Sequence, residues 1–439
     1  MIWIALLSTA FGSSTAGMGL SPMGGGLSGV TEPGVLGLAA TPASALSTGP
    51  EFAIDLGANF YLLNSELEGQ DPEAVSGMVP MPFLGATMPM GRWGLGVYGM
   101  IPYGGGASLP EDGAQRFHII DAESFLMEGG LSLGHRLTET ITVGGSFRVG
   151  RATLSKTTAM NTAALINSKT DLTPPLPTDN PLFHGSQSLD LSGIGFAYGL
   201  GMSVTLPNDL EAHLSYRSPM RVEVSGPVDI SPTDDLDLTL SGDATGYLTY
   251  AKEIELGLVI PVGTTRIALT GGWTDWSGMA EVNVSVRNLS VDSENGALQS
   301  FIMSSGVNEA DILAAGTDIH NDLGNDDAFH GGIAVDFPVA KFHLRPGVFY
   351  AGTTISDETF HVGIADFPAL DLRISASALP IDWLTIALTV DHFVIMDRTV
   401  QTSGLSLDND ASTGRVLPSA NGQYGMNATR TGLTLVARH

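Results

Sequence analysis

Leu210-Glu211-Ala212-His213-Leu214-Ser215-Tyr216-Arg217-Ser218-Pro219-Met220-Arg221-Val222-Glu223-Val224 is the stretch that decides the fold. Its even positions are mostly apolar, and its odd positions carry Glu211, His213, Arg217, Arg221 and Glu223. Successive side chains of a strand point to opposite faces, so the spacing predicts a strand with one greasy and one charged face. It is also much longer than the globular norm of about 5–6 residues.

The same alternation recurs on both sides of it. Phe52, Ile54, Leu56, Ala58 and Phe60 alternate with Asp55, Gly57 and Asn59, and Ile141, Val143 and Phe147 with Thr142, Ser146 and Arg148. Ile194, Phe196, Tyr198, Leu200 and Met202 alternate with small residues. Leu372 and Ile374, then Leu384, Ile386, Leu388 and Val390, repeat it near the C-terminus. No apolar run reaches the ~20 residues of a membrane helix. Long alternating strands without such a helix fit a transmembrane barrel, apolar outward and polar inward.

Strands are expected near 51–62, 80–90, 92–103, 122–136, 139–154, 189–206, 209–225, 247–261, 264–287, 328–338, 341–353, 370–380, 382–400 and 424–438. The connections alternate short and long, the asymmetry of an outer-membrane barrel with tight periplasmic turns and long extracellular loops. The sequence therefore predicts an all-β chain, a 14-stranded antiparallel transmembrane β-barrel over 47–439.

Composition agrees. Of 439 residues only 15% are charged, 43% are hydrophobic and 55 are glycine, with no cysteine. The absence of cysteine excludes disulfides, thiol nucleophiles and Cys-based metal sites. The net charge of −27 argues against nucleic acid as a partner. Acid is concentrated in expected loops: Asp229, Asp234, Asp235, Asp237 and Asp243 within 226–246, and Asp292, Glu294, Glu309, Asp311, Asp318, Asp322, Asp326 and Asp327 within 288–327. Two readings stand for these, solvated loops or divalent cations bridging lipopolysaccharide. Residues 1–16, with the apolar stretch Ile2–Leu7, read as a partial signal peptide lacking its positive start, or as a buried strand.

Residues 17–46 are glycine-rich and nearly uncharged, from Gly17-Met18-Gly19-Leu20-Ser21-Pro22-Met23 to Thr41-Pro42-Ala43. Small residues permit tight packing in a confined lumen, so this segment is expected inside the barrel as a hatch. With it, the sequence resembles the FadL-type outer-membrane transporters of long-chain fatty acids and aromatic hydrocarbons. Pro42 and Ala43 stand where that family carries Asn-Pro-Ala, without the Asn. Trp93–Gly99 with Pro102-Tyr103-Gly104 resembles its third strand. Tyr216-Arg217-Ser218-Pro219 and Trp273-Thr274-Asp275-Trp276-Ser277 resemble two further signatures.

The resemblance implies passive uptake of hydrophobic compounds in the outer membrane of a Gram-negative bacterium. Capture would occur on long loops, binding in the lumen, and lateral release at a kink in the third strand, without cofactor or metal. Met18, Leu20, Met23, Val35, Leu36 and Leu38 are candidate ligand contacts, or simply plug packing. Arg151 stands near the family's carboxylate-binding arginine, with Arg148, Arg217, Arg345 and Arg373 also expected inward; pairing with lumen acids is the alternative. Gly94, Gly96, Gly99 and Pro102 are expected to weaken the third strand, since Gly has no side chain to pack and Pro no donor. Apolar clusters around Met160–Ile166 and Leu298–Leu313 fit either loop capture or loop packing. A switch of apolar parity across Trp273–Gly278 predicts a bulge.

Gly130-Leu131-Ser132-Leu133-Gly134 and Gly94-Leu95-Gly96-Val97-Tyr98-Gly99 imitate hydrolase and dinucleotide motifs. Neither has the strand-turn-helix setting those chemistries need, so the chain is not expected to be an enzyme. It is expected to be a monomer. A water-filled porin for polar solutes, or a structural or adhesive barrel, remain alternatives; a porin would conduct ions through an open lumen.

Overall fold

A computed structural model describes residues 29–439 apart from 47, 68–70, 118, 164–166, 168–175, 178–179, 181–182, 234–237, 280, 294–295, 297–298, 301–318, 323–324, 361–365 and 404–419. Six staves are continuous in the first half: β1 (Glu51–Leu67), β2 (Glu73–Met90), β3 (Trp93–Ser108), β4 (Asp121–Arg136), β5 (Ile141–Asn161) and β6 (His184–Thr205). The next four are each interrupted: β7 (Glu211–Arg217, Met220–Ser231), β8 (Leu238–Tyr250, Lys252–Val262), β9 (Thr265–Asp275, Glu281–Ser293) and β10 (Ile319–Asp322, Ala328–Val339). Then follow β11 (Phe342–Ala351), β12 (Ala369–Ile381), β13 (Leu384–Ile395, Arg398–Val400) and β14 (Gly422–Arg438).

Each stave pairs antiparallel with the next, and β14 returns to β1 from Glu51↔Arg438 to Leu67↔Gly422, which closes the barrel. Closure removes the exposed sheet edge. Every expected strand is present. At one end the turns are tight: Gly91 and Gly263 sit at φ +67° and +64°, the left-handed region that glycine enters without penalty. The long connections all lie at the other end.

The wall is inside-out, as a lipid solvent requires. Leu56, Ile194, Phe196 and Leu388 are 60–62% exposed, whereas Asp55, Glu128, Arg217, Asp371 and Asp391 are buried. Among the described residues no helix is long and apolar enough to cross a membrane; the strands supply the crossing surface. Trp93 and Trp383 are exposed at the tight-turn end, an aromatic girdle position.

The staves rise further than expected. Residues 226–231 and 238–246, expected as acidic loop, are wall, and Met160 belongs to β5 rather than to a loop. Asp234, Asp235, Asp237, Glu309, Asp311, Asp318, Leu165, Phe301 and Met303 lie outside the described residues. In the added upper wall the sense of the alternation inverts. Met220, Val222, Val224, Val228 and Ile230 are buried, while Arg221, Glu223 and Asp229 are exposed. The even positions of the deciding stretch therefore face lipid only up to Tyr216; the break at Ser218-Pro219 turns them inward.

Neighbouring staves achieve the same inversion. In β8, Glu253 and Glu255 are buried below Ala251, and Leu238, Leu240, Leu248 and Tyr250 above it. In β9 a short 3-10 turn, Trp276–Met279, occupies the expected bulge site. Yet even positions face inward on both sides of it, with Ala268 and Thr274 below and Val286 above. There the apolar residues change face because the interior changes from polar to apolar.

Candidate functional site

The lumen is stacked in three layers. Uppermost is an apolar chamber in the sense of a stretch of lumen filled by buried apolar side chains. Leu126, Leu154, Leu191, Val222, Leu240 and Trp276 are among the buried residues of one continuous cluster drawn from β4 to β9 and beyond. Tyr103 stacks on Tyr250 at 5.2 Å and meets Trp276 edge-on at 5.9 Å, forming an aromatic floor.

Beneath it lies a layer of buried ions. Glu128 accepts from Arg148 at 2.9 Å, from Arg217 at 3.1 Å and from the Tyr98 hydroxyl at 2.8 Å. Arg148 also donates to the Ser218 carbonyl at 2.6 Å. Across the lumen Arg373 bonds Asp391 and Asp371, each at 3.0 Å, and Arg430 bonds Asp391. Desolvated ions tolerate burial only when so paired and hydrogen-bonded. Glu128→Ala is therefore expected to lower the unfolding free energy by about 3–5 kcal/mol, read from guanidinium midpoints in vesicles. A loss of about 1 kcal/mol or less, typical of exposed pairs, would show that carbonyls and water suffice for both arginines.

The lowest layer is chain 29–46, in three 3-10 turns: Gly29–Thr31, Gly34–Gly37 and Pro42–Ala45. Val35, Leu36 and Leu38 are buried against a cluster containing Phe83, Tyr98 and Met100. The wall holds this segment's backbone: Val35 N–H donates to Glu51 at 2.8 Å, and Ser215 and Arg217 donate to the carbonyls of Ala40 and Ala39. Pro42 and Ala43 sit against Gly144, where an added Cβ would come within 2.6 Å of their backbone.

Two expectations change here. Gly94 and Gly96 do not weaken β3, since both stay paired with β2 and β4. They make room, because a Cβ would lie 2.3 Å from the Ala45 carbonyl oxygen and 2.5 Å from Leu38 respectively. Gly99 is paired as well; the irregularity falls just above it, where Met100 faces Glu128 and Tyr103 faces Leu126. One residue more on β3 than on β4 is a bulge, and it contains Pro102. The β2–β3 ladder runs from Met90↔Trp93 to Phe83↔Met100 and stops there. Above that point β2 pairs with β1, and β3 with β4.

A cavity of about 550 Å³ opens at this seam, bounded by Pro82, Phe83 and Leu84 on one side and Gly99, Met100 and Ile101 on the other. Pro80 and Pro82, whose signal sequence reading missed, leave β2 short of donors beside the seam. Arg151 also lines the cavity, but from outside. Its neighbours Phe147 and Val149 share its outward face, and Arg148 takes the lumen. The expected lumenal role of Arg151 is thus corrected.

Of the remaining candidates, Met18, Leu20 and Met23 lie outside the described residues. Ser218 accepts from Tyr198 N–H at 2.9 Å and fixes the break in β7 beside the exposed Pro219; Tyr216 lies 5.9 Å from Tyr198 on the outer face. Trp273 donates to Asp327 at 3.1 Å, Ser277 N–H to the same carboxylate at 3.2 Å, and Trp276 turns into the chamber. These signature residues organise breaks in the wall. The Gly130–Gly134 motif lies in mid-β4 with unbroken ladders on both sides, which offers no nucleophile elbow.

The architecture has close parallels among solved structures. The crystal structure of a Pseudomonas aeruginosa FadL homologue superposes with a TM-score of 0.77 at 13% identity, over 97% of this chain and 98% of that one. The fold is the FadL-type barrel. The Ralstonia pickettii toluene transporter TbuX gives 0.65 at 15% identity over 96% and 99%, and the Pseudomonas putida toluene transporter TodX 0.70 at 13% over 98% of each. No family model matches the sequence, and no curated protein does. FadL-type architecture is thus recognisable in backbone where sequence similarity is low; TbuX and TodX are toluene transporters, and a further neighbour, CymD, is a monoaromatic hydrocarbon channel.

Proposed function

We propose that the protein is a passive outer-membrane channel for hydrophobic compounds. The observation that carries this reading is the buried apolar cluster above a charged layer, with the end of the β2–β3 ladder and a cavity in the wall just below it. Cargo would enter from the long-loop end, rest in the chamber and leave through the β2–β3 seam into the bilayer. Residues 17–46 would act as the hatch that keeps the periplasmic end shut. Exposed Asp190, Arg221, Glu223 and Asp229 would meet the lipopolysaccharide headgroup zone, directly or through divalent cations.

The porin reading asks for a polar, open lumen, and the chamber's apolar lining speaks against it. Uptake of labelled toluene and of labelled oleate by a transporter-null strain carrying this gene tests the proposal. At least one is expected to accumulate well above vector control, with a small sugar excluded. Accumulation of the sugar without either hydrophobe would overturn the reading in favour of a porin.

A further inference from the structure

Glu253 and Glu255 on β8, Thr274 on β9 and His330 on β10 form one patch on the lumen wall. Glu253 faces Thr274 and Glu255 faces Gly272 across one ladder; Gly272 faces His330 across the next. Gly272 keeps them close, since a Cβ there would lie 2.2 Å from the His330 Nε2. Glu253, Glu255 and Thr274 are each 2% exposed, and the His330 side chain 6%.

Polar atoms buried this deeply normally have partners. Among the described residues, all four carboxyl oxygens, the Thr274 hydroxyl and the His330 Nε2 lack a side-chain hydrogen-bond partner, and only the Val30 backbone N–H approaches Glu255. The nearest charged atoms are His330 Nε2 at 3.6 Å and Arg217 Nε at 4.0 Å from Glu253, beyond hydrogen-bond reach. The buried arginines are engaged elsewhere: Arg148 and Arg217 by Glu128, Arg373 by Asp371 and Asp391, Arg430 by Asp391. In this patch acceptors outnumber donors, and negative groups outnumber positive ones.

The patch adjoins the chamber. Tyr250 and Ala251 precede Glu253 on β8, and Ala328 precedes His330 on β10, all within the apolar cluster. We propose that Glu253, Glu255, Thr274 and His330 bind the ammonium head of a hydrophobic amine whose apolar body occupies the chamber. An ammonium brings three donors and the charge that two buried carboxyls lack. A fatty carboxylate would instead bring a third acceptor-only group to a patch without a free arginine. This site rests on the hydrophobe-channel reading and names a substrate class for it.

Dodecylamine, dodecan-1-ol and dodecanoate share a tail and differ only at the head. Their binding to the full-length barrel in phosphatidylcholine nanodiscs, with empty-disc binding subtracted, tests the site. The amine is expected to bind at least tenfold more tightly than dodecanoate, with the alcohol between them. Glu253→Gln with Glu255→Gln should bring amine and carboxylate within twofold. Asp229→Asn with Asp243→Asn, on the exposed upper wall, should leave the preference intact. Equal or tighter dodecanoate binding to the unaltered protein, a preference that survives the glutamine pair, or one abolished by the surface pair, would overturn the site. The first comparison needs no variant to fold. If the alcohol binds without an amine preference, only this site falls; if none of the three binds, the hydrophobe-channel reading falls with it.

Discussion

Removal of residues 17–46 is expected to convert a silent barrel into one that conducts ions stepwise in planar bilayers. Eight staves are filled by their own side chains and sixteen leave an aqueous channel; with fourteen, the lower lumen needs a filler. On the proposed reading residues 29–46 would provide it. They are nearly all buried and are fastened through Glu51, Ser215 and Arg217. The surface they would uncover is mixed, with Glu51, Ser215 and Arg217 beside Phe83, Tyr98 and Met100, and its charged part would be wetted. A cavity of about 330 Å³ lies beside the segment, between Glu32, Leu36, Arg345 and Arg438.

The deletion must leave the barrel closed, which a retained heat-dependent shift in electrophoretic mobility would establish. With that satisfied, an order-of-magnitude rise in conductance over the full chain is the expected result. Unchanged silence in a folded deletion variant would show that the apolar chamber seals the pore unaided, and the hatch reading would be lost. A gentler variant checks the same contact: Gly144→Val drives side-chain atoms into the Pro42–Ala43 backbone and should give flickering openings.

Much of this was legible in the sequence, and the failures have physical reasons. Alternation located all fourteen staves, because lipid outside and water or plug inside impose a strict period of two. It misjudged what lies inside. Met220, Val222 and Val224 continue the pattern of Leu210, Ala212 and Leu214, so period alone assigned them to the same face. Charge was the neglected signal: Arg221, Glu223 and Asp229 sit opposite them and fit water better than a sealed apolar interior. The outward face of Arg151 follows from parity, since a residue three positions from inward-facing Arg148 on a regular strand faces outward. The glycines of β3 could not be read alone; their meaning lies in Leu38 and Ala45, which approach from another part of the chain. Pro102 reads in the sequence as a residue that weakens the strand, and it lies in the β3 bulge; the end of the β2–β3 ladder depends on pairing that no local pattern reveals.

That ladder carries the second large effect. Deleting Pro102 removes the extra residue between Met100 and Tyr103, restoring equal spacing against β4 and letting β3 continue alongside β2. Zipping the seam is expected to cut uptake of a neutral hydrophobe by at least an order of magnitude, while ion conductance after hatch removal stays the same. The two readouts differ because ions would leave along the barrel axis and the hydrophobe through the wall. A reversible form of the test avoids any question of folding. The native chain has no cysteine, so Pro82→Cys with Ile101→Cys gives one addressable pair across the cavity. Bridging it with a reducible bifunctional thiosulfonate should block uptake, and dithiothreitol should restore it in the same cells. Full uptake with the bridge in place would place the exit elsewhere, and the cavity beside Glu32 and Arg438 at the tight-turn end would then be the route to examine.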